Sequence, residues 1–131
     1  MDDRQAILAR LQRLGELLFA RDRAIVDDLW SDGFELYGSE VGEHAASRGD
    51  LVRLFDRLYA LPFRIRWQWD HPAVTIGGDV AWLTAEGKLE LTHADRIERK
   101  PYRLVAIFQK IGGAWKWRLY SGSEPAMAEL H

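Results

Sequence analysis

Two places in the sequence could support acid–base or hydrogen-bonding chemistry. His71 follows Asp70, and a carboxylate beside an imidazole can orient the ring as a general base. A bent strand edge that carries a solvated histidine explains the same pair more simply. Tyr37 precedes a loop that could gate a pocket, so its hydroxyl could donate to a ligand carbonyl, although a buried core tyrosine fits this position equally well.

Other kinds of site are disfavoured by residue type and spacing. The chain has no cysteine, which excludes disulfides and thiolate metal ligands. Ser121-Gly122-Ser123 lacks the flanking glycines of a nucleophile elbow, and no Gly-rich loop precedes a helix as in a phosphate site. We therefore expect no metal and no cofactor. The histidines are scattered, with no two at metal-ligand spacing: His44, His71, His93 and His131.

Composition disfavours polyanions and membranes as partners. The net charge of -2 provides no field for nucleic acid, and the alternation of Arg64 and Arg66 with Trp67 and Trp69 puts stacking and charged groups on opposite faces. No window approaches the ~20 apolar residues of a membrane span, and the first residues lack a signal-peptide pattern. These features predict a cytoplasmic protein, and 131 residues predict a single domain.

Helical spacing of apolar residues dominates the first half of the chain. Ile7, Leu11, Leu14 and Leu18 recur at three or four positions and indicate one helix face. The pattern as a whole predicts the following elements: a helix over 3–20, a helix over 22–30, a short strand around Phe34 and Leu36, a loop over 38–46, and a helix that follows Ser47 and ends before Pro62.

After Pro62 the apolar period changes to two, which is typical of strands. We expect a strand over 63–76 with a bend or bulge at Asp70-His71-Pro72, because proline removes a ladder donor. Further strands are predicted over 80–91, 102–111 and 114–123. Helices followed by strands predict an α+β fold: a cone-shaped barrel of three helices packed on a curved antiparallel sheet. A curled sheet closed by helices leaves a cavity between the layers.

This order of elements resembles the SnoaL-like members of the nuclear transport factor 2 superfamily. Asp79-Val80-Ala81-Trp82 opens a strand, and Gly113-Ala114-Trp115 leads into the closing Ser123-Glu124-Pro125. The resemblance covers nearly the whole chain, as one domain over 1–131. It implies a pocket for a small organic molecule and a homodimer formed through the convex face of the sheet. Trp115 and Trp117 are candidates for that interface if they lie on the convex face.

The resemblance also implies which side chains face the cavity. On the strand that begins at Val80, Trp82, Thr84 and Glu86 are expected to face inward, with Ala81, Leu83 and Ala85 on the other side. Glu86 and Arg103 would then orient a polar ligand, or form a structural ion pair at the mouth. The expected ligand-binding residues are Trp30, Tyr37, Trp67, Trp82, Thr84, Glu86, Arg103, Arg118 and Tyr120, although the tryptophans also fit a plain core.

The resemblance leaves the chemistry open. Ketosteroid isomerases of this superfamily carry catalytic groups where this chain has Leu14, Gly38 and Val105, so that reaction is disfavoured. Three functions remain: binding without turnover, a cofactor-independent isomerase, cyclase or dehydratase that uses Glu86 or His71, and a dimerising scaffold. A scaffold would have its cavity filled by side chains.

Overall fold

Three helices and six strands make up the chain in the computed structural model, which describes residues 2–126. His131, one of the histidines considered above, lies outside these residues. In chain order the elements are α1 (Asp3–Ala20), α2 (Ile25–Leu29), β1 (Glu35–Tyr37), β2 (His44–Ala45), α3 (Arg48–Tyr59), β3 (Arg64–Gly77), β4 (Val80–Thr92), β5 (Ile97–Ile111) and β6 (Ala114–Ser123).

Local side-chain bonds define where the two longer helices begin. Asp2 accepts from the Gln5 backbone N–H, and the Gln5 side chain accepts from the Asp2 backbone N–H, which forms a capping box for α1. Ser47 caps α3 by accepting from the Asp50 N–H at 3.0 Å. The predicted start of both helices is therefore confirmed.

All six strands belong to one sheet, in the order β2-β1-β6-β5-β4-β3. Neighbouring strands run antiparallel except β1 and β6, which run parallel. The predicted α+β cone is confirmed, with this one parallel pairing added. Two boundaries differ from the prediction: β2 lies inside the expected loop over 38–46, and β5 begins at Ile97, five residues before the expected Tyr102.

The inward and outward faces of β4 are the reverse of those expected. Ala81, Leu83 and Ala85 are buried against the helices, whereas Trp82 is 45% exposed on the outer face. Thr84 and Glu86 share that outer face, so their predicted inward position is wrong, as it is for Trp82. The physical reason is the period of two in a strand, where a placement wrong by one residue turns every side chain to the other face.

A bulge in β6 puts residues of both odd and even number on the inner face. Ile107 pairs with Leu119 and Phe108 pairs with Trp117, so Arg118 is an extra residue without a partner on β5. Trp115 and Trp117 are buried before the bulge, and Tyr120 is buried after it. The two tryptophans are therefore core residues, and their assignment to a convex dimer interface is wrong.

The predicted bulge in β3 is confirmed. Asp70 pairs with Glu86 and Ala73 with Thr84, so His71 and Pro72 have no partner of their own. His71 has φ 44°, in the left-handed region that residues other than glycine seldom adopt, and its side chain is exposed.

Candidate functional site

A cavity of about 200 Å³ lies between the helices and one end of the sheet. Its wall is largely apolar, and all three helices and strands β1 and β3 to β6 contribute to it. The apolar wall consists of Leu14, Leu18, Ile25, Leu29, Leu36, Leu54, Phe55, Leu58, Leu61, Phe63, Ile65, Trp67, Leu89 and Leu91. Because side chains do not fill this space, the fold could accommodate a guest molecule.

Two tyrosine hydroxyls provide the polar part of the cavity wall. Tyr102 on β5 and Tyr120 on β6 are 6% and 5% exposed, and their hydroxyl oxygens lie 2.7 Å apart. Burial raises the pKa of Tyr102 to about 12 and that of Tyr120 well above 10.0, so both hydroxyls keep their protons near neutral pH. One hydrogen is used between them. Within residues 2–126 the other has no acceptor, so the pair presents a free O–H donor.

Gly122 provides the space for this hydroxyl pair. A Cβ atom at position 122 would lie 1.8 Å from the Tyr102 oxygen and 2.6 Å from its Cζ. Any larger residue would displace the phenol. The smallest residue in β6 therefore lies beside the buried hydroxyl pair of the wall.

Carboxylates dominate the charged groups of the cavity rim. Glu40 and Glu43 come from the loop between β1 and β2, and Glu124 follows β6. The Glu43 Oε1 atom accepts from the Glu40 backbone N–H at 2.7 Å. Lys100 lies across the rim, with its Nζ 3.7 Å from Glu124 Oε1. The rim is thus acidic, with one ammonium group already paired.

Two of the predicted ligand-binding residues, Trp67 and Tyr120, lie in the cavity wall. The Trp67 ring stacks on both tyrosines, with centroids 6.5 Å from Tyr102 and 6.0 Å from Tyr120. Trp30 instead packs edge-to-face on Phe34 and is absent from the wall.

Three further predicted residues lie away from the cavity. Tyr37 is exposed and donates to the Glu35 carboxylate at 3.1 Å. Arg118, at the bulge, donates to the Asp32 carbonyl. His71 is exposed at the β3 bulge, so the structure gives it no place among the cavity residues.

The predicted ion pair exists but lies on the wrong face of the sheet. Arg103 Nε is 3.4 Å from Glu86 Oε1, and the two side chains are 56% and 75% exposed on the outer face. Neither lines the cavity, so the expectation that they orient a ligand there is wrong. An exposed pair of this kind contributes about 0–1 kcal/mol to stability.

Tyr102 is a cavity residue that the sequence-based prediction missed. Its neighbour Arg103 had been assigned to the inner face, and adjacent strand residues face opposite ways. A signal was present, because Tyr102, Leu104, Ala106 and Phe108 form an alternating apolar series opposite the similar series of β4. Assigning both strands by that apolar series would have placed Tyr102 inward.

No cluster of three or more His, Cys, Asp or Glu residues within residues 2–126 could hold a metal ion. Over the same residues, no helix has the length and apolar character needed to cross a membrane.

The architecture also occurs in solved structures with low sequence identity. A nuclear transport factor 2-like superfamily protein from Salmonella enterica superposes with a TM-score of 0.80 at 16% identity, covering 96% of this chain and 93% of that one. A candidate dehydratase of the same family from Streptomyces avermitilis gives 0.79 at 14%, covering 94% and 96%. A candidate calcium/calmodulin dependent protein kinase II association domain from Xanthomonas campestris gives 0.83 at 16%, covering 98% and 91%.

These likenesses concern the fold, and sequence comparison identifies the family. No curated protein matches the chain in sequence. Residues 7–127, which include every strand and nearly all of α1, match the SnoaL-like domain. The chain therefore belongs to the SnoaL-like family.

Proposed function

We propose that the protein binds a small, largely apolar organic molecule in its cavity and orients it through one hydrogen bond. The observation that carries this proposal is the free O–H donor of the Tyr102–Tyr120 pair in a largely apolar wall. A buried donor without an acceptor costs roughly 1–3 kcal/mol, so an acceptor on the ligand would relieve a real penalty. A ketone, aldehyde, ester or ether oxygen provides such an acceptor.

The cavity volume sets the size of this molecule. An apolar protein cavity of ~150 Å³ binds benzene, and this one measures about 200 Å³. It suits a molecule of one ring or two fused rings. Trp67 in the wall offers an aromatic surface for stacking and a fluorescent reporter of occupancy.

Binding can be tested with 2-acetylnaphthalene, a neutral ketone of suitable size, by tryptophan fluorescence and calorimetry. Either single variant would leave one free O–H, so the double variant Tyr102→Phe/Tyr120→Phe is needed; it removes both hydroxyls and should weaken binding by about 2- to 10-fold, the value of one hydrogen bond. Tyr37→Phe is the matched control, because Tyr37 is exposed and does not line the cavity. Wild-type affinity in the double variant, or no binding by the wild type, would refute the proposal.

A catalytic alternative is favoured by one further observation, the Glu43 carboxylate on the rim of the same cavity. A carboxylate base and a hydroxyl donor together could move a proton next to a carbonyl, as isomerases, cyclases and dehydratases do without a cofactor. The test is exchange of the α-hydrogens of the bound ketone for deuterium, followed by NMR. Hydrogen exchange that is accelerated by the wild type and not by Glu43→Gln would support an enzyme. Exchange no faster than in buffer without protein would exclude this role.

We also propose a homodimer through the convex face of the sheet, now based on different residues. Trp82 and Val105 are exposed there, and Trp82, Ile107 and Leu119 form one cross-strand row. A second copy would cover these apolar groups. Trp82→Glu should yield a monomer in light scattering, whereas Val41→Glu, at an exposed loop tip off this face, should not. A monomeric wild type would refute the dimer.

A further inference from the structure

Negative charge surrounds the free O–H donor that the tyrosine pair offers in the cavity wall. Three carboxylates line the cavity, and Lys100, the one cationic side chain in the described lining, is paired with Glu124. Arg103 and Arg118, which the sequence suggested as partners for a ligand anion, both lie outside. Glu40 and Glu43 therefore have no cationic partner among the described residues of the wall.

Glu43 is held at the rim by backbone contacts. Its Oε1 atom accepts the Glu40 N–H at 2.7 Å, and its own backbone carbonyl accepts the Gly38 N–H at 2.7 Å. The side chain lies over Gly38, where an added Cβ would come within 2.7 Å of the Glu43 Cβ. A glycine at position 38 thus leaves the space that the carboxylate occupies.

The charge of Glu43 acts on the hydroxyl pair. Burial is the main reason that the pKa values of Tyr102 and Tyr120 are raised, and the negative charge of Glu43 raises both further. A carboxylate bound at the same hydroxyls would meet the same field, and it would also lose its hydration in an apolar cavity. A neutral carbonyl oxygen accepts the same hydrogen bond without either cost.

We infer that Glu43 is a specificity-determining residue that excludes carboxylates, so the ligand of this cavity is an uncharged carbonyl compound. This inference rests on the proposed binding function. It does not treat the acidic rim as a binding site, because the recognition group is the buried tyrosine pair with its free hydrogen. Among the molecules that can accept a hydrogen bond from the tyrosine pair, the negative charge of the rim favours the uncharged ones.

The experiment compares the binding of 2-acetylnaphthalene and 2-naphthoate, which have nearly the same shape. The ketone has a methyl group where the carboxylate has a negatively charged oxygen. At neutral pH the wild type should prefer the ketone. Glu43→Gln keeps an oxygen that can accept from the Glu40 N–H but removes the charge, and it should raise naphthoate affinity by about fivefold with little change for the ketone. Glu86→Gln is the matched control, since it removes a carboxylate from the outer face.

The dependence of affinity on salt concentration provides a second measurement. In the wild type, high salt should lower the ratio of ketone affinity to naphthoate affinity, because salt screens the negative charge of the rim. In Glu43→Gln the same change of salt should alter this ratio less. The inference would be overturned if Glu43→Gln had the same ratio of ketone affinity to naphthoate affinity as the wild type, or if the wild type bound both probes equally. Ketone binding would still support the proposed function in either case. Binding of neither probe would overturn both.

Discussion

Replacing Gly122 with alanine would test whether the tyrosine hydroxyls lie where the structure places them. The new Cβ would be 1.8 Å from the Tyr102 oxygen, so the phenol would have to move by more than about 1 Å to reach ordinary contact distance. Trp67 and Trp69 pack against the Tyr102 ring and resist that movement. Overpacking costs roughly 1–3 kcal/mol and the lost hydroxyl bond about 1 more, so we expect a loss of about 2–4 kcal/mol.

Urea unfolding followed by tryptophan fluorescence measures this loss, and a double-mutant cycle assigns its cause. In a Tyr102→Phe background the most severe overlap is gone, so Gly122→Ala should cost less there than in the wild type. Gly49→Ala is the control, because the nearest atom to its added Cβ is 3.5 Å away on a flexible arginine. A loss below about 0.5 kcal/mol, or fully additive effects in the cycle, would refute the placement of the Tyr102 hydroxyl.

Three further predictions concern the same fold. Burial raises the pKa of Tyr102 to about 12, above the value near 10.0 in the unfolded chain. The free energy of unfolding should therefore keep its full contribution from Tyr102 below pH 10 and fall by roughly 2–3 kcal/mol toward pH 12. Tyr102→Phe should flatten that decline in urea titrations. Leu83→Ala should cost about 2–5 kcal/mol and Thr84→Ala under about 0.5, and the reverse order would refute the assigned faces of β4. His71→Gly should stabilise by up to about 1 kcal/mol, since φ 44° favours glycine, and a loss of stability would contradict this.

The elements themselves could be predicted because their signals are local. The apolar spacing of α1 and the cap residue Ser47 of α3 act within one or two helical turns. The start of β5 could not be predicted in this way, because Ile97–Lys100 is mostly charged. Its place in the sheet depends on pairing with β4, where Arg99 meets Glu90 at 3.0 Å.

The cavity residues were harder to predict because a strand sequence does not identify its inner face. Either set of alternate side chains on β4 could have faced the helices, and a loose resemblance favoured the set with Trp82 and Glu86. The core instead includes Ala81 and Leu83, both of them fully buried. Apolar content along the whole strand was the more reliable guide, since burial of charged groups such as Glu86 costs several kcal/mol.

The β6 bulge shows why the site could not be derived from any single segment. Trp117 and Tyr120 both need the inner face of the sheet, one for the core and the other for the cavity. Strict alternation would put them on opposite faces, so a regular strand could not place both inward. The extra residue Arg118 changes the phase between them, and its type gives no local signal for a bulge. Register with β5 positions Tyr120 opposite Ala106 and so brings its hydroxyl to Tyr102. The hydroxyl pair is thus a product of sheet pairing, and its chemistry depends on contacts between residues eighteen positions apart.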